Sequence, residues 1–139
     1  SKIYVIDLDK KFLGTEMFSS KFLNVSLTWN EGIAFGLFSF GEKTLYNILT
    51  IIILIIILVI GFMIIKSEGF KKYSLLMILG GALGNVFDRI FYKAVPDFID
   101  FHIQDFHWFI FNVADIFITI GVIFMIMLEF VNSNNNKKI

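Results

Sequence analysis

The balance of apolar and polar positions changes character several times along the chain. Residues 1–19 are mixed, and Lys2, Asp7, Asp9, Lys10, Lys11 and Glu16 interrupt them too often for a membrane span. From Lys21 the pattern turns to period two. Leu23, Val25, Leu27 and Trp29 alternate with Asn24, Ser26, Thr28 and Asn30, which predicts a half-buried strand. Two glycines in Asn30-Glu-Gly-Ile-Ala-Phe-Gly36 end the alternation and predict a turn or loop within a small extramembrane sheet. Leu45–Ile65 is then almost unbroken in its apolar character, polar only at Tyr46, Asn47 and Thr50. At about 1.5 Å per helical residue it spans roughly 30 Å, one hydrocarbon thickness. Lys66–Lys72 reads as a short basic loop, and Tyr73–Phe91 as a second span, polar only near its far end. Residues 92–107 read as a loop holding Asp97, Asp100, His102, Asp105 and His107. Trp108–Val131 predicts a third span, and Asn132–Ile139 a polar tail. No internal repeat is visible.

Composition turns these spans into a class. A chain of 139 residues that is 57% hydrophobic, with 18 Phe and a mean hydropathy of +0.78, is an integral membrane protein, mainly α-helical. Its formal charge is zero and it has no basic patch, so nucleic acid is excluded as a partner. Without cysteine it has no disulfide, no thiolate nucleophile and no cysteine metal site. The chain starts at Ser1 without Met or a signal-peptide pattern, as expected of a fragment or a processed chain. Lysines set the orientation: the 66–72 loop carries three and the tail two, whereas 92–107 carries one lysine against three aspartates. The first two regions are therefore expected inside and the acidic loop outside.

Polar residues inside the predicted spans mark the candidate chemistry, because ionisable groups at membrane depth are costly and face the bundle interior or a wet cavity. Asn85, Asp88 and Arg89 stand at i, i+3 and i+4 and share a helical face, as do Asn112 and Asp115, a stripe that Trp108 and Thr119 extend. Gly80 and Gly84 form a small-xxx-small pair that admits a close helix neighbour. Asp88, one turn before the second span ends, and Asp115, two turns after the third begins, are expected at one depth.

Several chemistries fall away. No serine is paired with a His or Lys in the spans, and neither Gly-x-Ser-x-Gly nor His-Glu-x-x-His is present. His102 and His107 with Asp105 are a conceivable metal set, but i, i+5 in a loop is not diagnostic, and ordinary interfacial histidines fit as well. Carboxylate chemistry remains. Two aspartates brought together share one proton, so that the ionised member activates water while the protonated one hydrogen-bonds the scissile carbonyl. Spacing alone does not choose between Asp97 and Asp100 as the partner of Asp115. A non-enzymatic alternative, membrane transport, shares these buried residues, but the inner halves of the spans offer an ion no polar path.

Four blocks in register carry a resemblance: Asn30-x-Gly32-x-Ala34-Phe35, Gly80-Gly-Ala-Leu-Gly-Asn-x-x-Asp-Arg89, Val95-x-Asp97-Phe-Ile-Asp-Phe101 and Phe111-Asn-Val-Ala-Asp115. Together they resemble lipoprotein signal peptidase, the bacterial signal peptidase II family, over nearly the whole chain. The resemblance implies an aspartic endopeptidase, multi-pass in the bacterial inner membrane with its active site facing the periplasm. It implies cleavage of diacylglyceryl-modified prolipoproteins just before the lipidated cysteine. The family's catalytic pair falls on Asp97 and Asp115, and its supporting residues on Asn30, Gly32, Asn85, Asp88, Arg89 and Asn112. Arg89 and the asparagines are expected to hold the loop and the substrate backbone, and Asp88 to pair with Arg89 or cap its helix. No metal or organic cofactor is implied, the partners are the prolipoprotein and membrane lipids, and the chain is expected to be a monomer. The family has four transmembrane helices and a periplasmic β-rich cradle. Here the first helix is expected to be missing apart from a stub at residues 1–6, within a single domain, 1–139, whose residues 1–43 hold stub and cradle. Pro96 stands where the family commonly has Val, and proline removes an N–H and stiffens the segment.

Overall fold

In the computed structural model, residues 1–12, 14–31, 42–104 and 106–136 are described. The elements in chain order are helix α1 (Lys2–Phe12), strands β1 (Phe18–Ser19) and β2 (Leu23–Asn30), and helices α2 (Glu42–Ile65) and α3 (Gly69–Tyr92). Strands β3 (Val95–Ile103) and β4 (Phe106–Phe111) and helix α4 (Val113–Asn136) complete the chain. Among the described residues three helices, α2, α3 and α4, are long and apolar enough to cross a membrane. The integral membrane, mainly helical class with a small sheet is therefore the observed one. The chain divides into two compact units, residues 1–49 with 87–113 and residues 50–86 with 114–139.

The first unit is built on an antiparallel sheet of order β1-β2-β3-β4. The strand read from alternation at 23–30 is present as β2, yet its faces are not sorted as expected. Asn24 is its buried residue and Trp29 is exposed. An irregularity between Val25 and Thr28, where three steps of β2 match two of β3 (Ile99 to Asp97), breaks the period. A second correction concerns residues 92–107, which are not a loop. They form most of a β-hairpin, with β3 and β4 paired from Ile99↔Phe111 to Ile103↔Phe106 and Gln104 at φ 54° in its turn. Pro96, fully buried, pairs with Trp29 of β2 and precedes the β4 pairing, so β3 has a neighbour on one side only at that point. α1 continues to Phe12, twice as far as the expected stub.

The second unit consists of helical segments, with α3 and α4 in direct contact. A methyl built on Gly81 would lie 2.5 Å from the carbonyl oxygen of Ala114 and 2.7 Å from Ile118 Cγ1. One on Gly121 would lie 2.7 Å from the carbonyl oxygen of Ser74. Both positions therefore require glycine, because a side chain there would run into the backbone of the facing helix. The expected Gly80/Gly84 pair is corrected accordingly: a methyl built on Gly80 would meet open space, and one on Gly84 only an ordinary 3.7 Å contact with the methyl of Ala114.

The observed helices also differ from the expected spans at their ends. α3 begins at Gly69, so Lys71 and Lys72 lie in its first turn rather than in a loop. α4 begins at Val113, not Trp108, because Trp108–Phe111 belong to β4. Apolar character marks what lipid tolerates, and a helix runs on past that boundary wherever its backbone bonds stay satisfied.

Candidate active site

Asp97 is the third residue of β3, opposite Thr28 of β2, and only 3% exposed. Both of its carboxylate oxygens accept an amide hydrogen bond. Asn30, at the end of β2, donates from Nδ2 to Oδ2 at 2.9 Å. Asn112, between β4 and α4 and 0% exposed, donates from Nδ2 to Oδ1 at 2.6 Å. A buried carboxylate is tolerable only with such partners, and two donors from different elements fix the plane of the group. The sheet supplies this geometry: β2 brings in Asn30 beside β3, and the chain leaving β4 brings in Asn112.

Asp115 lies in the first turn of α4, where the helix dipole favours a negative group. Asn85 of α3 donates from Nδ2 to its Oδ1 at 2.7 Å. Close approach of the helices at Gly81 against Ala114 makes that short bond possible. Asp97 and its asparagines belong to the first unit, Asp115 and Asn85 to the second.

Asp88 departs from expectation. It is buried and ion-paired with Lys2 of α1, not with Arg89. Neighbours at i, i+1 point to different sides of a helix, so adjacency in sequence does not make a pair. Arg89 instead serves the end of α3 through its backbone. Its carbonyl accepts from the Tyr46 hydroxyl at 2.6 Å and from the N–H of Lys93 at 3.1 Å, with Lys93 in the left-handed region at φ 62°. The guanidinium stands 6.0 Å from the centre of the Tyr46 ring. Its Nε and Nη1 are buried without a hydrogen-bond partner among the described residues. Asp100 turns away from this group and meets His107, with 2.7 Å between Oδ2 and Nδ1. Gly32, with Ala34 and Phe35 of the same motif, lies outside the described residues, as does Asp105. Trp108 and Asn112 precede α4 and so do not share its helical stripe with Asp115 and Thr119.

Sequence reasoning did not find Lys2 as the partner of Asp88, because a contact 86 residues apart leaves no local signal. Tyr46 was visible as a polar interruption in an apolar run, though its partner was not.

Comparison with known proteins places the chain. The family model for signal peptidase (SPase) II matches residues 1–131. The lipoprotein signal peptidase of Pelagibacter ubique (strain HTCC1062) is 49% identical over 140 residues, covering 99% of this chain and 84% of that protein. That of Anaplasma phagocytophilum (strain HZ) is 43% identical over 112 residues, 78% of this chain and 70% of the relative. A solved structure titled a bacterial membrane enzyme determined by the in meso method at 2.3 Å superposes with a TM-score of 0.70 at 32% identity. It covers 96% of this chain and 87% of its own. With three candidate membrane helices, an antiparallel sheet and the motif asparagines gathered on two aspartates, this chain belongs to the signal peptidase II family.

Proposed function

We propose that this chain is an intramembrane aspartyl endopeptidase that removes the signal peptide from diacylglyceryl-modified prolipoproteins, with Asp97 and Asp115 as its two catalytic carboxylates. The observation that carries this reading is that each aspartate is held by an asparagine amide, Asp97 on both oxygens and Asp115 on one. A carboxylate fixed in this way can meet a reacting atom at a set angle, which is what general acid–base chemistry demands.

In the reaction, one carboxylate takes a proton from a water molecule as the water oxygen bonds to the carbonyl carbon preceding the lipidated cysteine. The other, protonated, donates its hydrogen bond to the carbonyl oxygen. Collapse of the tetrahedral intermediate breaks the C–N bond, and the cysteine amine leaves with a proton from the dyad. The signal peptide departs with a new carboxylate. Asn30, Asn112 and Asn85 act as positioning residues, and Arg89 offers to substrate backbone the donors that have no partner among the described residues. The site faces the periplasm from the inner membrane, as the lysine asymmetry of the loops supports.

Expression in bacteria lacking their own signal peptidase II provides the test. Asp97→Asn and Asp115→Asn each leave the prolipoprotein band unconverted on a gel, while Asp100→Asn converts it. Normal conversion by either of the first two removes the mechanism, and currents across a bilayer that depend on a cation would replace it with transport.

A further inference from the structure

We propose that Asp100, His102 and His107 form a binding site for a divalent transition cation of the zinc type. Asp100 and His102 are two residues apart on β3 and project from the same side of the strand, opposite in phase to Asp97. His107 of β4 is in register with His102, and an irregularity in the pairing between Phe101 and His102 falls at this point. Bulges of that kind re-aim a side chain. The three residues bring one ligand atom each to within 4.8 Å of one another.

Two observations turn this cluster into a site. Asp100 and His102 are buried, at 5% and 9% exposure, yet Asp100 Oδ1 and His102 Nδ1 have no hydrogen-bond partner among the described residues. Buried polar atoms are normally satisfied, and two orphans in one cluster call for a shared partner. A cation supplies it. Second, the rings of His102 and His107 lie 5.2 Å apart at 26°, and Nδ1 of His107 already touches Asp100 Oδ2 at 2.7 Å. Tetrahedral zinc needs ligand atoms about 3.4 Å apart, given metal bonds of about 2.0–2.2 Å. The half-exposed His107 side chain can turn to close that gap, and its exposure gives the ion a way in.

Two imidazoles and one carboxylate form a borderline donor set. It favours zinc, cobalt, nickel or copper over magnesium or calcium, which take oxygen. Three protein ligands leave a fourth position for water. The ion would clip β3 to β4 near their turn and so brace the strand that carries Asp97. Nothing in this inference depends on the proposed peptidase chemistry.

Purified full-length chain in detergent, carrying no histidine tag, is titrated with zinc chloride by calorimetry. In parallel, its cobalt(II) complex is read by visible absorption. The expected result is one zinc per chain, an intense cobalt band of tetrahedral type, and a zinc-dependent rise in the unfolding midpoint. His107→Gln and His102→Asn each weaken zinc by at least the roughly 100-fold that lesser, outer-shell changes can reach. His107→Gln alters a half-exposed side chain and keeps the metal-free unfolding midpoint. Should His102→Asn fail to fold, His107→Gln and the wild-type cobalt spectrum decide the matter. Absence of saturable zinc binding, a cobalt spectrum of hexaaqua type, equal binding by His107→Gln, or an equal response to magnesium overturns the proposal.

Discussion

Replacing Gly81 by alanine tests how the helix pair holds Asp115. The added methyl would sit 2.5 Å from the Ala114 carbonyl oxygen and 2.7 Å from Ile118 Cγ1, where real methyls keep beyond 3.0 Å. The obstacle at 2.5 Å is backbone, so a rotamer change cannot relieve it, and α3 and α4 must part locally by about 0.5 Å. Overpacking of this kind costs about 1–3 kcal/mol. The residue after Ala114 is Asp115, whose 2.7 Å bond to Asn85 is carried by the same two helix faces. Gly81→Ala is therefore expected to lower both thermal stability in detergent and the rate of prolipoprotein conversion. Two companions separate these effects. Gly80→Ala meets open space and should be neutral or slightly stabilising. Gly121→Ala, against the Ser74 carbonyl at 2.7 Å, should cost comparable stability yet less activity, because its obstacle lies more than one helical turn from the Asn85–Asp115 bond. Melting followed by circular dichroism, with initial rates on a diacylated prolipoprotein, gives both readouts. Equal behaviour of Gly81→Ala and Gly80→Ala would refute the packing argument.

Two further outcomes follow from the first unit. Asn112→Ala removes a buried amide from the Asp97 carboxylate and should slow conversion by about 10- to 100-fold, the range of a hydrogen bond to a charged group. Asn30→Ala, at the exposed end of β2, should cost less in the same initial-rate assay, and a reversed order would count against the assigned roles. Lys2→Met leaves Asp88 buried without its ion-pair partner and should destabilise by about 3 kcal/mol, whereas the Lys2→Met/Asp88→Asn double variant should regain most of it. Thermal unfolding of the wild type, both single variants and the double variant completes that cycle, and additivity of the two changes would show the pair to be energetically silent.

The helices were legible from their apolar runs, and the sheet only in part, for one physical reason. Its buried positions include Asn24, Asp97, Asp100 and His102, while Phe18, Trp29, Phe101, Ile103, Phe106 and Phe109 are exposed. Ordinary strand patterns assume that water sorts side chains, apolar inward and polar outward. In a membrane protein that assumption lapses: apolar surface carries no penalty against lipid or its interface, and the interior is where polar groups find partners. β3 thus presented acids amid aromatics and read as a loop, and β4, almost all aromatic and aliphatic, was absorbed into the following span. The alternation in β2 located that strand correctly, but burial there does not follow it: Asn24 is buried, Leu23, Val25 and Leu27 are half-buried, and Trp29 is exposed.

The site shows the same contrast between composition and phase. The motif blocks named Asn30, Asn85, Asn112, Asp97 and Asp115, and the structure joins each asparagine to one of those aspartates. Spacing between small residues, by contrast, pointed to Gly80 and Gly84 and missed Gly81. Three glycines among five residues leave the phase of the helix open, but the polar residue beside them does not. Counting back from Asn85 by four, seven and eleven gives Gly81, Ile78 and Ser74, a single helical stripe. Those are the residues that meet Ala114, Ile118 and Gly121 of α4. A buried amide has to face its partner, whereas a glycine can face anything. In a membrane helix the interface is therefore better phased from its costly polar residue than from its small ones, and Asn85 alone would have identified the glycine that cannot be replaced.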